Sequence, residues 1–174
     1  PIQRLTRSVA LKDQRLMLKP MIFVDADACP VAVKEIVYRT AQRRKISTVI
    51  VANQSIAIPS SEWLRQVLVR SGADKADHAI VEMVERGHVV ITDDIPLASR
   101  VIEKGAVAIG TRGDLYDEKN IHSRLATRDL LDQLRQSDIA LTGPKPFKQK
   151  DAQAFANQLD RTLTKVLQKP GGNS

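Results

Sequence analysis

One cysteine stands among 174 residues. That excludes an intrachain disulfide and a cysteine-based zinc site, and it fits a reducing cytoplasm. Aromatic residues make up only 3%, so a core has to be built from Val, Ile, Leu and Ala. Side chains on which bases could stack are correspondingly scarce. No apolar run approaches the roughly 20 residues that span a bilayer. Pro1–Pro20 is polar and lacks the apolar centre of a signal peptide. His78, His88 and His122 share no metal-ligand spacing. A cytoplasmic chain without a membrane partner is therefore expected.

What is present is ordinary for a globular domain: 43% hydrophobic and 27% charged residues. The length suits one domain with a sizeable buried core. The net charge of +7 is unevenly spread. Pro1–Pro20 has five basic residues and one acidic, and Lys145–Ser174 has six basic and two acidic, a net +4 in each. The middle, Met21–Pro144, has 16 basic and 17 acidic residues. Basic ends can hold a polyanion without selecting one; solvated ends that aid solubility are the alternative. Pro1–Pro20 has no sustained pattern, and a clean apolar run starts at Met21. Met21 reads as the natural start and residues 1–20 as a basic extension outside the domain. A functional basic arm is the other reading.

From Met21 onward strands and helices alternate. Met21–Asp25, Ser47–Ala52, Val89–Thr92 and Ala106–Ile109 read as buried strands rich in β-branched residues. Val33, Ile36, Val37, Thr40 and Ala41 recur at helical spacing after Pro30, a residue favoured at helix starts. Ala73–Glu85, Ile95–Lys104 and Ile121–Gln136 read as helices, with Gly105 placed to stop the second. Trp63–Val69 suits a helix or a short strand, and Thr111–Asn120 reads as a polar loop. Ala152, Phe155, Leu159, Leu163 and Val166 form one face of a C-terminal helix, ahead of a frayed Pro170-Gly171-Gly172 tail. The pattern predicts a three-layer α/β fold, with a mainly parallel sheet flanked by helices. The domain is expected over 21–144, followed by a basic linker, helix and tail over 145–174.

Ligands of such sheets bind at the carboxyl ends of the strands, and carboxylates gather there. Asp25 and Asp27 follow the first strand, and Asp93 and Asp94 follow the strand ending at Thr92. Asp74 and Asp77 open the helix after Gly72, three apart on one face. Singly, Asp27, Asp74 and Asp94 are explained as helix caps. Doubled carboxylates at three places on one rim are not, because like charges repel unless a cation or proton joins them. Hard oxygen donors without a Cys or His cluster point to Mg2+ or Mn2+, held by Asp25, Asp27 and Asp94. Asp74 and Asp77 would complete the catalytic set or position a water.

The segment Val24-Asp25-Ala26-Asp27-Ala28-Cys29-Pro30 resembles the opening of the YaiI/YqxD family of uncharacterised bacterial proteins. Val51-Ala52-Asn53, Gly72-Ala73-Asp74-Lys75-Ala76-Asp77 and Ile91-Thr92-Asp93-Asp94-Ile95-Pro96-Leu97-Ala98 extend the likeness. So do Lys104-Gly105-Ala106, Arg112-Gly113 and Ala154–Arg161, in order, over Met21 to about Leu167. Asp93 departs from the pattern, where a small residue is expected, which makes Asp94 the motif carboxylate. The family is similar to PIN-like nucleases, whose strand-end acidic residues hold metal and cut RNA or DNA. The resemblance implies that Asp25 is the first acidic position and Asp74 or Asp77 the middle one. Thr92-x-Asp94-x-x-Leu97 resembles the later Thr-x-Asp-x-x-Leu element.

Other readings compete. Asp25-x-Asp27 also resembles a haloacid-dehalogenase-type phosphatase, in which Asp25 would form an aspartyl-phosphate; Ala28-Cys29 replaces that family's usual Gly-Thr. A non-catalytic module binding nucleic acid or protein is the third. Cys29 reads as a small buried residue or as a thiol activated by the helix that Pro30 starts. Arg112, Lys119, Arg124 and Arg128 are placed to hold a substrate phosphate, with a solvated face as alternative. Asn53 could orient substrate or water, and Lys145, Lys148 and Lys150 could track a nucleic-acid backbone.

Overall fold

The computed structural model describes residues 19–72 and 74–168. The basic stretch up to Leu18, the expected helix start at Ala73 and the Pro170-Gly171-Gly172 tail lie outside the described residues. Strand β1 (Ile22–Asp25) leads into helix α1 (Val31–Arg44), then β2 (Thr48–Ala52) and β3 (Leu64–Leu68). Helix α2 (Lys75–Met83), β4 (Val89–Ile91), α3 (Ile95–Glu103) and β5 (Val107–Ile109) follow. A two-residue strand β6 (Leu115–Tyr116), α4 (Ile121–Gln136) and α5 (Gln149–Gln168) complete the order.

The six strands form one sheet in the order β3-β2-β1-β4-β5-β6. Five are parallel; β6 is antiparallel to β5. Successive strand residues face opposite sides, so the strands fill two cores. Ile22, Val24, Ile50, Ile91 and Ile109 pack with Val33, Val37 and Ala41 of α1 and Phe155, Leu159 and Leu163 of α5. Phe23, Val49, Val51, Val90 and Ala108 pack with Ile80 of α2, Leu97 and Val101 of α3, and Ile121 of α4. The result is three layers: α1 and α5, the sheet, then α2, α3 and α4. No helix among the described residues is long and apolar enough to cross a membrane.

One ambiguity is resolved and one expectation is corrected. The ambiguous Trp63–Val69 forms strand β3, the parallel edge strand. The stretch Thr111–Asn120 is not loop alone, because Leu115 and Tyr116 pair with Ile109 and Ala108. At the foot of the sheet Arg44 reaches Asp160 at 3.2 Å and the Thr164 hydroxyl at 3.1 Å, and Arg43 lies 3.8 Å from Asp160. This cluster does more than close α1: it fastens α5 along it.

Candidate active site at the strand ends

The chain runs from β1 outward through β2 and β3, then returns to lay β4 on the other side of β1. That reversal opens a crevice above the carboxyl ends of β1 and β4, where open α/β sheets bind ligands. Val24 stands beside Ile91 in the register, so Asp25 and Thr92 come next, side by side. Both share the face of Phe23 and Val90, the side covered by α2 and α3.

Thr92 is buried, and its hydroxyl makes two bonds. It donates to Asp25 Oδ2 at 3.0 Å and accepts from the Asp94 backbone N–H at 3.0 Å. Asp94 Oδ1 in turn accepts from the Leu97 N–H at 3.0 Å and caps α3. One threonine thus ties the first carboxylate to the turn that presents the second. Burial pushes the Asp25 carboxyl up to about 6; the Thr92 bond opposes the shift, while the charges of Asp77, Asp94 and Asp27 add to it. Asp77 on α2 is half-buried and also raised, by burial first and then by Asp94 and Asp74. Asp77, not Asp74, is the α2 carboxylate whose charge reaches Asp25.

The capping explanation accounts for one of these side chains. Asp94 caps its helix. Asp74 occupies the N-cap of α2 in a left-handed conformation (φ 64°) and makes no side-chain cap bond. Asp27 does not cap α1, which begins after Pro30 without a side-chain cap. Both Asp27 oxygens instead accept from the Asn53 backbone N–H, at 3.1 and 3.2 Å. Asp27 therefore joins the ends of β1 and β2, and Asn53 contributes its backbone to that tie. Among the described residues, no three His, Cys, Asp or Glu side chains already converge as an ion-binding group.

Adjacent carboxylates diverge after β4. Asp94 turns to the α3 side. Asp93 turns to the end of β5, where it accepts from the Thr111 N–H at 2.7 Å and the Thr111 hydroxyl at 2.6 Å. Thr111 was not marked from sequence, although Ile109-Gly110-Thr111 ends β5 much as Ile91-Thr92 ends β4. Arg100 was also missed. Its Nη2 donates to His78 Nδ1 at 3.1 Å, so that ring nitrogen carries no proton. The Arg100 guanidinium pulls the Asp77 carboxyl back down. Nothing local in the sequence pairs a residue of α3 with one of α2.

The basic candidates separate. Arg112 pairs with Asp151 at 3.0 Å, donates to the Lys145 carbonyl and lies over the Phe147 ring. Arg124 pairs with Asp114 at 3.5 Å and covers Tyr116. Arg128 pairs with Asp129 and Asp132 of its own helix, each at 3.4 Å. Cys29 is buried, and burial first, then Asp93 and Asp25, push its thiol up to about 12. That favours the small-buried-residue reading over an activated thiol.

The model of the uncharacterised YaiI/YqxD family matches residues 23–165, nearly the whole described chain. The chain belongs to the YaiI/YqxD family. Relatives named UPF0178 protein include one from Shewanella amazonensis, 51% identical over 145 residues, 83% of this chain and 97% of the relative. One from Dechloromonas aromatica is 51% identical with the same coverage. Another from Desulfotalea psychrophila is 49% identical over 83% of this chain and 98% of its own length. No solved structure matches the chain significantly. The family name carries no activity, so function has to be argued from the crevice of this YaiI/YqxD member.

Proposed function

We propose that this YaiI/YqxD protein is a Mg2+- or Mn2+-dependent phosphodiesterase, a nuclease acting on RNA or DNA. The observation that carries the reading is the Asp25–Thr92–Asp94 chain at the strand reversal, with a desolvated Asp25 carboxyl set among like charges. A carboxylate raised by burial and by other carboxylates is one whose charged form a cation would stabilise. The donors are all hard oxygens, as Mg2+ or Mn2+ requires. Asp25 and Asp94 would hold the ion, each keeping one oxygen outside the Thr92 and Leu97 bonds. Such an ion supplies Lewis-acid stabilisation of a phosphoryl centre.

The chain's own groups have distinct parts. Thr92 orients Asp25. Asp27, held by Asn53, keeps the β1–α1 turn in place and adds to the negative field. Asp77, kept partly desolvated, is the carboxylate suited to accept the proton of a water attacking phosphorus as the P–O ester bond breaks. Arg100, bonded to His78 beside Asp77, would offer its guanidinium to a phosphate oxygen. The phosphatase reading needs Asp27 as a general acid, and its oxygens are engaged by a backbone donor.

The test pairs binding with turnover. Mn2+ is titrated calorimetrically into wild type, Asp25→Asn and Asp94→Asn, and all three are assayed on labelled single-stranded RNA and DNA. Asn keeps an oxygen for the Leu97 N–H, so the cap of α3 survives in Asp94→Asn. Expected is metal-dependent cleavage that drops about 100-fold or more in either variant, with Mn2+ binding weakened in both. Absence of binding and cleavage at millimolar Mn2+ would refute the proposal. An acid-stable aspartyl-phosphate trapped on Asp25 would assign the phosphatase instead.

A further inference from the structure

The basic segment after α4 is pinned to the turn that follows β5, one strand over from the strand that leads to Asp93 and Asp94. The connection runs residue by residue. Asp94 adjoins Asp93, and Asp93 holds Thr111 by two short bonds. Arg112 follows and grips the segment at three points: the Lys145 carbonyl, the Phe147 ring and the Asp151 carboxylate. Asp151 also accepts from the Lys148 N–H at 2.9 Å, which closes the turn into α5. Gly113 seals the contact, because a Cβ there would lie 2.7 Å from the Ala154 carbonyl oxygen. The backbone of Lys145–Asp151 is thereby fixed at the carboxyl end of β5, the neighbour of β4, while Lys145, Lys148 and Lys150 are exposed. Its one acidic residue, Asp151, is taken by Arg112. Three exposed cations are thus carried on a backbone held at the same end of the sheet as the carboxylates.

We propose that Lys145, Lys148 and Lys150 form a track for the phosphate backbone of a single nucleic-acid strand whose scissile phosphate lies over Asp25 and Asp94. The inference rests on the phosphodiesterase reading of that crevice. A polyanion nearing Asp25, Asp77 and Asp94 is repelled, and fixed cations on one flank offset that repulsion and set the direction of approach. Fixing the backbone of the segment beforehand lowers the ordering cost of binding. The scarcity of aromatics makes the contact one to phosphates more than to bases, so RNA and DNA strands share the chemistry that the track recognises.

The test measures the salt dependence of binding to labelled oligouridine and oligothymidine by fluorescence anisotropy, in EDTA so that nothing is cleaved. Lys145→Ala/Lys148→Ala/Lys150→Ala is compared with wild type and with Arg39→Ala/Arg65→Ala/Lys165→Ala, which removes three exposed cations from α1, β3 and the far end of α5. Each phosphate contact adds about 0.7 to the slope of log K against log salt for single strands, so the lysine variant should lose about 2. The control should keep the wild-type slope. A slope unchanged in either strand, or an equal loss in the control, overturns the track. Because the assay needs neither metal nor turnover, a lost slope without Mn2+-dependent cleavage would leave the binding surface standing and remove the nuclease reading. Cleavage with an unchanged slope would do the reverse.

Discussion

Asp25 is the residue at which stability and chemistry pull apart. An ordinary aspartate has a pKa of 3.8, and burial raises that of folded Asp25 to about 6. Between those values the folded chain binds more protons than the unfolded chain, so this group's contribution is full in acid and is lost as pH rises past about 6. At neutral pH the ionised carboxylate therefore opposes folding. A shift of this size corresponds to about 3 kcal/mol, and solvent screening of a half-buried group brings it to about 1–2 kcal/mol. Asp25→Asn should accordingly be more stable than wild type at pH 7, by that amount in urea unfolding. The gap should close as the pH is lowered toward 4. A variant less stable at neutral pH would show that the carboxylate is a structural acceptor first. The residue was legible in the sequence because it ends an apolar run. Its partner was not, since the register that sets Thr92 beside it depends on strand order, and no local pattern encodes that. Asp27 illustrates the converse: the Asp-x-Asp spacing carries no sign of the Asn53 backbone N–H from which both of its oxygens accept.

Elements were legible where they are long and periodic. Helix α4 matches its expected span, and buried strands showed as runs of β-branched residues. The failures are short. Two residues, Leu115 and Tyr116, carry no periodicity, so β6 was hidden inside a polar stretch. Edge strand β3, open to a helix or strand reading, alternates imperfectly because only Leu64 is buried. The joint between the β5–β6 turn and α5 was hidden for another reason: Arg112 finds Asp151 39 positions away. That joint can be probed through its glycine. Gly113 has φ 91°, and an added Cβ meets the carbonyl of Ala154. Gly113→Ala should cost about 2–4 kcal/mol from backbone strain and the displaced helix. It should also speed amide exchange in the first turn of α5, measured by hydrogen–deuterium exchange. Unchanged exchange there would mean that the loop yields and the helix stays.

The whole molecule is closed by a helix distant in sequence from the strands it covers. Phe155, Leu159 and Leu163 are fully buried in the core that α1 shares, where α5 packs on α1 and β5. Large apolar side chains contribute about 1.5–3 kcal/mol each on full burial, so three approach the net stability of a typical domain, about 5–15 kcal/mol. A chain ending at Pro144 is thus expected to lose cooperative unfolding in urea and to bind a hydrophobic dye. A cooperative transition in that fragment would show that the sheet and the earlier helices suffice. The same arrangement has a consequence during synthesis. A ribosome makes α1 and β5 before α5, and the apolar surface they turn toward α5 stays uncovered until α5 has cleared the exit tunnel. For that interval the nascent chain is a substrate for holding chaperones, and the speed of translation between β5 and α5 sets how long it remains one.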